Sequence, residues 1–299
     1  MSDSIQANEP IEEWQAWLTL IFLSIIWGTS FILIKKSLVA FAPEQVAHLR
    51  IALSGVAFTP FLILNFKRLE WHRWKMYVVL ALTGSAIPAF LYANAQTQID
   101  SATAGILNSL TPIFTVIIGV FAFRARTNYH QILGILIGFV AAGGLIYYDA
   151  SPKDSSGNIW YGLLIVIGCI LYGTNVNLIH HYFARVNSVR LSTLAFILIG
   201  LPATLIIPFT DIPQVTMTHP KGWESLLYLS ILAVVSTVLA LIIFYRLVQR
   251  TSAIFGASVA YLIPGIAVIW GLIDGESIGV FEIVCLVLIV LGVYLIRKT

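Results

Sequence analysis

The sequence predicts an all-α polytopic membrane protein, with ten transmembrane helices arranged as two inverted five-helix repeats around a central cavity. Three observations carry this reading. Apolar residues make up 59% of the 299 and charged residues 10%, against about 45–50% and about 25% in ordinary soluble domains. Ten stretches are apolar over the length of about 20 residues that a helix needs to cross roughly 30 Å of hydrocarbon. Short motifs of the first half return in the second, 145 to 153 residues further on.

The first stretch, Trp17 to Ile34, follows a polar segment with Asp3, Glu9, Glu12 and Glu13 and no Lys or Arg. That is the reverse of a basic signal-peptide n-region, so the stretch is expected to stay as a helix. The second, Val46 to Phe66, carries the one basic side chain inside a span, Arg50, with His48 nearby. The third, Met76 to Asn94, holds Tyr92 and ends at Asn94 and Gln98, which suit an outer vestibule or an interfacial helix end equally. The fourth, Ala102 to Phe123, sets Gly105, Asn108, Pro112, Thr115 and Gly119 three or four apart, which puts small and polar groups on one inward face. The fifth, Ile132 to Tyr148, contains Gly134 and Gly138, a step suited to close packing within the monomer or to a dimer face.

The sixth stretch, Trp160 to Ile179, carries Cys169, Tyr172, Asn175 and Asn177, and His180 and His181 follow it. The two asparagines lie about 200° apart around a helix and cannot both face one cavity. The adjacent histidines project in different directions, which fits a solvated helix end and not a helical metal pair. The seventh, Leu191 to Phe209, is apolar throughout. The eighth, Leu226 to Tyr245, ends on its tyrosine, the ninth, Ala253 to Ile273, carries Tyr261 and Pro264, and the tenth, Val280 to Ile296, contains Cys285. Both cysteines sit in apolar segments, where thiols behave as small hydrophobes. No cofactor or metal site is implied.

Charge sets the orientation. With the N-terminus inside, twelve basic residues fall in cytoplasmic loops (Lys67, Arg68, Arg73, Lys75, Arg124, Arg126, Arg185, Arg190, Arg246, Arg250, Arg297 and Lys298), and only Lys35, Lys36, Lys153 and Lys221 fall outside. This positive-inside bias places both termini in the cytoplasm of a bacterial inner membrane and would be scrambled by one helix more or fewer. The formal charge of +3 is small and scattered, which excludes nucleic acid as a partner.

The repeat is read from three matches. Trp27-Gly28-Thr29-Ser30 answers Tyr172-Gly173-Thr174-Asn175 at 145 residues; Tyr92 answers Tyr245 at 153; Leu110-Thr111-Pro112 answers Leu262-Ile263-Pro264 at 152. This divides the chain into a polar tail (1–14), a first repeat (15–149), a linker (150–158) and a second repeat (159–299). Five crossings are an odd number, so the second half is inverted. Two such halves can expose a shared site to each side in turn, which is the use a transporter makes of them; a duplicated bundle of purely structural purpose is the alternative.

Together these residues resemble the drug/metabolite transporter superfamily, specifically its EamA-type ten-helix exporters. The resemblance runs from Trp17 to Arg297 and is carried by Trp27-Gly28-Thr29-Ser30-Phe31, Arg50, Tyr92, Ser101-Ala102, Pro112, Tyr245, Thr251-Ser252-Ala253, Pro264 and Gly275-Glu276. It departs in the first half, where Phe123-Arg124-Ala125-Arg126 stands in place of the Gly-Glu step that each half of such proteins usually has. The resemblance implies a basket of helices around a cavity, lined mainly by the first, third, fourth, sixth, eighth and ninth, and export of an amino acid or related metabolite.

Candidate pathway residues are therefore Trp27, Ser30, Arg50, Tyr92, Asn108, Pro112, Thr115, Tyr172, Asn175, Tyr245, Tyr261 and Pro264. Arg50 is suited to a substrate carboxylate, to a carboxylate of the protein, or to backbone carbonyls near the outer interface. Pro112 removes a backbone hydrogen bond and frees a carbonyl near residue 108, available to a polar substrate or to interhelical packing. Aromatic walls with a few amides suit an amino acid or a flat heterocycle. No span has Asp or Glu at its centre, so a coupled proton would have to use His48 or a carboxylate at a helix end: Glu44, Asp100, Asp274, Glu276 or Glu282. The partners expected are a small-molecule substrate, the lipid bilayer and, as a candidate co-substrate, H+; the chain is expected to be a monomer or a weak homodimer. A lipid or lipid-carrier flippase is the competing reading, and an intramembrane enzyme a remoter one, since neither a His-Glu-x-x-His nor a Gly-x-Ser-x-Gly motif nor a pair of central carboxylates is present.

Overall fold

The computed structural model describes residues 11–125, 128–149 and 159–297. The first ten residues of the expected tail, the 150–158 linker, Arg126 of the departing step, and Lys153 and Lys298 of the charge count lie outside them. The described chain is an all-helical polytopic membrane protein. Nine of its helical spans are long and apolar enough to cross a bilayer: α1 (Glu13–Ser37), α2 (Pro43–Arg68), α3 (Trp71–Ala95), α4 (Ser101–Phe123), α5 (Tyr129–Tyr148), α6 (Ile159–Tyr182), α7 (Ser188–Phe209), α8 (Gly222–Arg250) and α9 (Ala253–Ile273). The tenth, α10 (Val280–Arg297), carries a shorter apolar run, Val280–Gly292. A short helix, Ile212–Thr218, lies between α7 and α8.

The spans outrun the apolar stretches because their polar ends find partners beyond the hydrocarbon. At one end of the bundle Lys35 and Lys36 of α1 reach the α9–α10 turn, and Ser225 of α8 donates to the Lys36 carbonyl at 3.1 Å. At the other end Arg73 donates to the Tyr182 carbonyl at 3.1 Å, and Gln249 to the Phe183 and Val186 carbonyls at 2.8 and 2.7 Å. Loops that ten alternating crossings assign to one side meet there, and the others meet on the opposite side.

Packing pairs the second, fourth and fifth spans with their counterparts from the other half, the seventh, ninth and tenth, while the first packs on the ninth as the sixth packs on the fourth. On α2 and α7, a Cβ at Gly55 would fall 2.6 Å from the Gly200 Cα, so only glycine lets these backbones touch. Gly134 and Gly138 of α5 receive Gly292 of α10, placing this Gly-x-x-x-Gly step inside the monomer. The first and sixth spans use their shared glycine alike. A Cβ at Gly28 would lie 3.0 Å from the Ile263 carbonyl of α9, and one at Gly173 would lie 2.8 Å from the Thr115 amide of α4.

Four spans are interrupted, two by two. The fourth stops at Asn108 and restarts at Thr111 with Pro112 in its first turn. The ninth tightens to a 3-10 turn at Ser258–Tyr261 and restarts at Ile263 with Pro264 likewise placed. Proline supplies no amide proton and clashes with the carbonyl four residues back, so the helix breaks ahead of it. The third and eighth instead widen into π-helical turns, Leu82–Ala86 and Val234–Leu239. A π turn opens the backbone ladder and leaves carbonyls to be met by side chains.

Candidate functional site

Those four interruptions converge on a central cavity of about 840 Å³, counting its open mouth. The π turns create its polar frame. In α8, Thr237 donates to the Leu232 carbonyl at 3.1 Å, Trp27 of α1 donates its indole N–H to the Ser236 carbonyl at 2.8 Å, and Ser54 of α2 reaches the Ala233 carbonyl at 3.3 Å. In α3, Asn175 of α6 donates to the Leu80 carbonyl at 2.8 Å. The first span thus braces the eighth as the sixth braces the third, each through a residue of the repeated aromatic-Gly-Thr-polar step.

Among the expected pathway residues, the structure gathers Trp27, Ser30, Arg50, Tyr92, Asn108, Tyr172 and Asn175 on the cavity wall. Tyr92 donates to the Asn108 Oδ1 at 2.6 Å, and its ring stands 5.9 Å from both Phe31 and Tyr172. Trp27 meets Phe244 edge to face at 4.9 Å. Arg50 donates through Nε to the Thr237 hydroxyl at 3.1 Å and forms no ion pair with a described residue. Ser30 back-bonds to the Ile26 carbonyl at 3.1 Å.

The other five stand behind the wall. Pro112 and Pro264 are buried at the restarts of α4 and α9, and Tyr245 is fully buried beside the wall residue Phe244. Thr115 donates to the Thr111 carbonyl and Tyr261 packs half-buried against the core. The carbonyl that Pro112 frees is taken within the protein: Thr111 Oγ1 donates to Asn108 O at 2.8 Å and Cys169 Sγ lies 3.7 Å from it. Asn177 points away from Asn175 and bonds the Thr115 and Gly173 carbonyls, both at 2.9 Å.

Several wall residues were not among the pathway candidates read from sequence: Phe31, Ser85, Ser236 and Phe244. Ser85 and Ser236 lie one in each of the two π turns, 151 residues apart and two short of the 153 that separates Tyr92 from Tyr245 in the same spans. Among the described residues no Asp or Glu lines the cavity. His48 contacts the Ala203 carbonyl of α7 at 2.8 Å.

A second polar cluster, outside the cavity lining, ties the ends of α1 and α4 to the α9–α10 turn. The Glu276 carboxylate accepts from Lys35 Nζ at 2.7 Å, from Ser101 Oγ at 2.7 Å, and from the Ser101 and Ala102 amides at 3.1 Å each, so it caps the N-terminus of α4. Burial alone would raise the Glu276 pKa, but Lys35, Ser101 and the two amides together hold it below its usual value. Asp274 is likewise lowered by its hydrogen bonds to Lys35 and Lys36. Asp100 is raised by burial and by the Glu276 charge.

The first half keeps the turn without the carboxylate. Arg124 occupies the left-handed conformation (φ 55°) where the second half has Gly275 (φ 85°), and Ala125 takes the place of Glu276. The N-terminus of α9 is capped by its own Ser252, whose hydroxyl accepts from the Phe255 amide at 3.1 Å.

Comparison with known proteins agrees with this architecture. The model of the EamA-like transporter family matches twice, over residues 14–147 and 159–298. An uncharacterized transporter of Archaeoglobus fulgidus is 22% identical over 94% of this chain and 98% of its own length. The uncharacterized inner membrane transporter YedA of Escherichia coli K12 is 26% identical over 93% and 89%, and protein PagO of Salmonella typhimurium 24% over 93% and 91%. A solved crystal structure superposes with a TM-score of 0.63 over 96% of this chain and 97% of the other at 17% identity, a likeness of fold. With both halves matched and the repeat carried through spans, breaks and cavity, the chain belongs to the EamA-like transporter family.

Proposed function

We propose that this protein is a secondary transporter that exports a small metabolite, an amino acid or a related compound, across a bacterial inner membrane by alternating access of its two halves, with both termini in the cytoplasm. The observation that carries the reading is the central cavity, walled by aromatic and amide side chains and framed by matched interruptions in both halves. Paired discontinuities at a shared mid-membrane site suit rocking of one half against the other. The seven pathway candidates on the wall are the proposed substrate contacts, and the five behind it are proposed to hold the broken helices in place.

Uptake of radiolabelled amino acids and organic acids into proteoliposomes tests this, with and without an imposed pH gradient. Saturable uptake of one solute, reduced about tenfold or more by Asn108→Ala through loss of the Tyr92 partner and the amide, is the expected result. Dependence on the gradient would identify H+ as the coupled ion. Movement of fluorescent lipid but of no metabolite by folded, inserted protein would replace the reading with a lipid flippase.

A further inference from the structure

The cavity's unused polar groups are mainly hydrogen-bond donors. Arg50 spends only Nε within the protein, on a Thr237 hydroxyl that itself donates to Leu232 O; its two terminal amino groups bond no described residue. The Ser85 hydroxyl lines the cavity, is 4% exposed and has no partner among the described residues. Of the wall acceptors, Ser236 O is engaged with Trp27 and Asn108 Oδ1 with Tyr92, which leaves Asn175 Oδ1 and neutral hydroxyl oxygens but no carboxylate. Tyr172 adds a neutral hydroxyl able to serve either way. Asp274 and Glu276, the carboxylates of the neighbouring end cluster, are committed to Lys35 and Lys36.

A guanidinium with four open N–H groups and no counter-charge in a partly desolvated cavity needs an anion, and it binds a carboxylate bidentately. An ammonium group in the same space would meet no carboxylate and few open acceptors, while feeling the repulsion of Arg50 across a medium less polar than water. Resting on the transport reading above, we propose that the substrate is a net organic anion with an apolar ring. Its carboxylate sits on Arg50 and its ring lies among Trp27, Tyr92, Tyr172 and Phe244. Zwitterionic amino acids are weaker ligands, and amines are excluded.

Three probes that share a ring and differ in charge decide this: 3-phenylpropanoate, phenylalanine and 2-phenylethylamine. Binding to the purified full chain is read from quenching of tryptophan fluorescence and from thermal stabilisation. The acid should bind about tenfold or more tighter than the amino acid, with the amine weakest. Arg50→Gln should lower acid affinity about ten- to a hundredfold, and Arg50→Lys, which keeps the charge but loses the bidentate fork, should fall between it and the wild type. Should Arg50→Gln not fold, the wild-type ranking alone decides. Equal or tighter binding of the zwitterion or the amine, or unchanged acid binding in folded Arg50→Gln, overturns the proposal. Binding of none of the three overturns it as well, and flux of other solutes in proteoliposomes then shows whether the transport reading stands.

Discussion

Glu276 concentrates at one side chain what several separate caps would otherwise do: it neutralises Lys35, satisfies two amides of α4 and holds the α9–α10 turn against α1. Removing its charge leaves Lys35 half-paired and weakens the cap, so Glu276→Gln should lower stability by about 3 kcal/mol, read from thermal or SDS unfolding. The pH dependence follows from the shift. A carboxylate whose folded pKa is depressed contributes stability that is present above its unfolded value, about 4.3 for Glu, and lost as pH falls through the folded value. Asp274 has the same sign. Asp100, raised, has the opposite one, losing stability as pH rises from its unfolded value through the folded value. With two lowered groups against one raised, the wild type should lose stability below about pH 4, more steeply than Glu276→Gln. Equal slopes would mean that the Glu276 charge does not set the acid sensitivity. Arg124 offers the converse: an L residue in the left-handed region costs about 1 kcal/mol or more, so Arg124→Gly should raise the melting temperature. The sequence showed that this half lacks the Gly-Glu step, but composition and periodicity carry no sign of a φ angle, so the strained turn was not legible.

The spans are legible because the bilayer admits so few solutions: backbone polar groups must be satisfied within the segment, and about 20 apolar residues mark each crossing. The breaks in α4 and α9 are legible from Pro112 and Pro264 for an equally local reason. The π turns in α3 and α8 are not, since no residue type dictates an extra residue in a turn; what secures them is tertiary, a donor arriving from α6 or α1. Asn175→Leu should therefore leave the Leu80 carbonyl unpaired, at about 1–3 kcal/mol, and alter transport by reshaping the third span. Unchanged stability would mean that the turn is held by something else. Where two spans cross at glycine, the backbone itself is the contact surface, so Gly55→Leu should cost about 2 kcal/mol or more, and repacking cannot relieve it because the obstacle is the Gly200 backbone.

Across the whole molecule the repeat organises everything else, and it was visible in three short matches because each falls on a part that shapes the central cavity: its wall, a helix break, a buried tyrosine. The cavity's full lining was only partly visible. Aromatic, amide and charged residues announce themselves in an apolar sequence, whereas Ser85 and Ser236 look like ordinary small residues until two π turns bring them to the same space. Nor could the sequence tell Pro112, Thr115, Tyr245, Tyr261 and Pro264 from the wall residues, because small polar groups and prolines serve packing and lining alike. The two ends differ: a carboxylate cluster ties α1, α4 and the α9–α10 turn at one end, and its counterpart position at the other is Ala125.

The proposed opening of one cavity to each side of the membrane in turn can be read from accessibility. A single cysteine at Ser85, in a background without Cys169 and Cys285, would be titrated in sealed, oriented vesicles with a membrane-impermeant thiol reagent added to one side and then to the other. Labelling from both sides is expected, with a transported solute protecting the cysteine in each case. Labelling from one side only, unaffected by any transported solute, would contradict it.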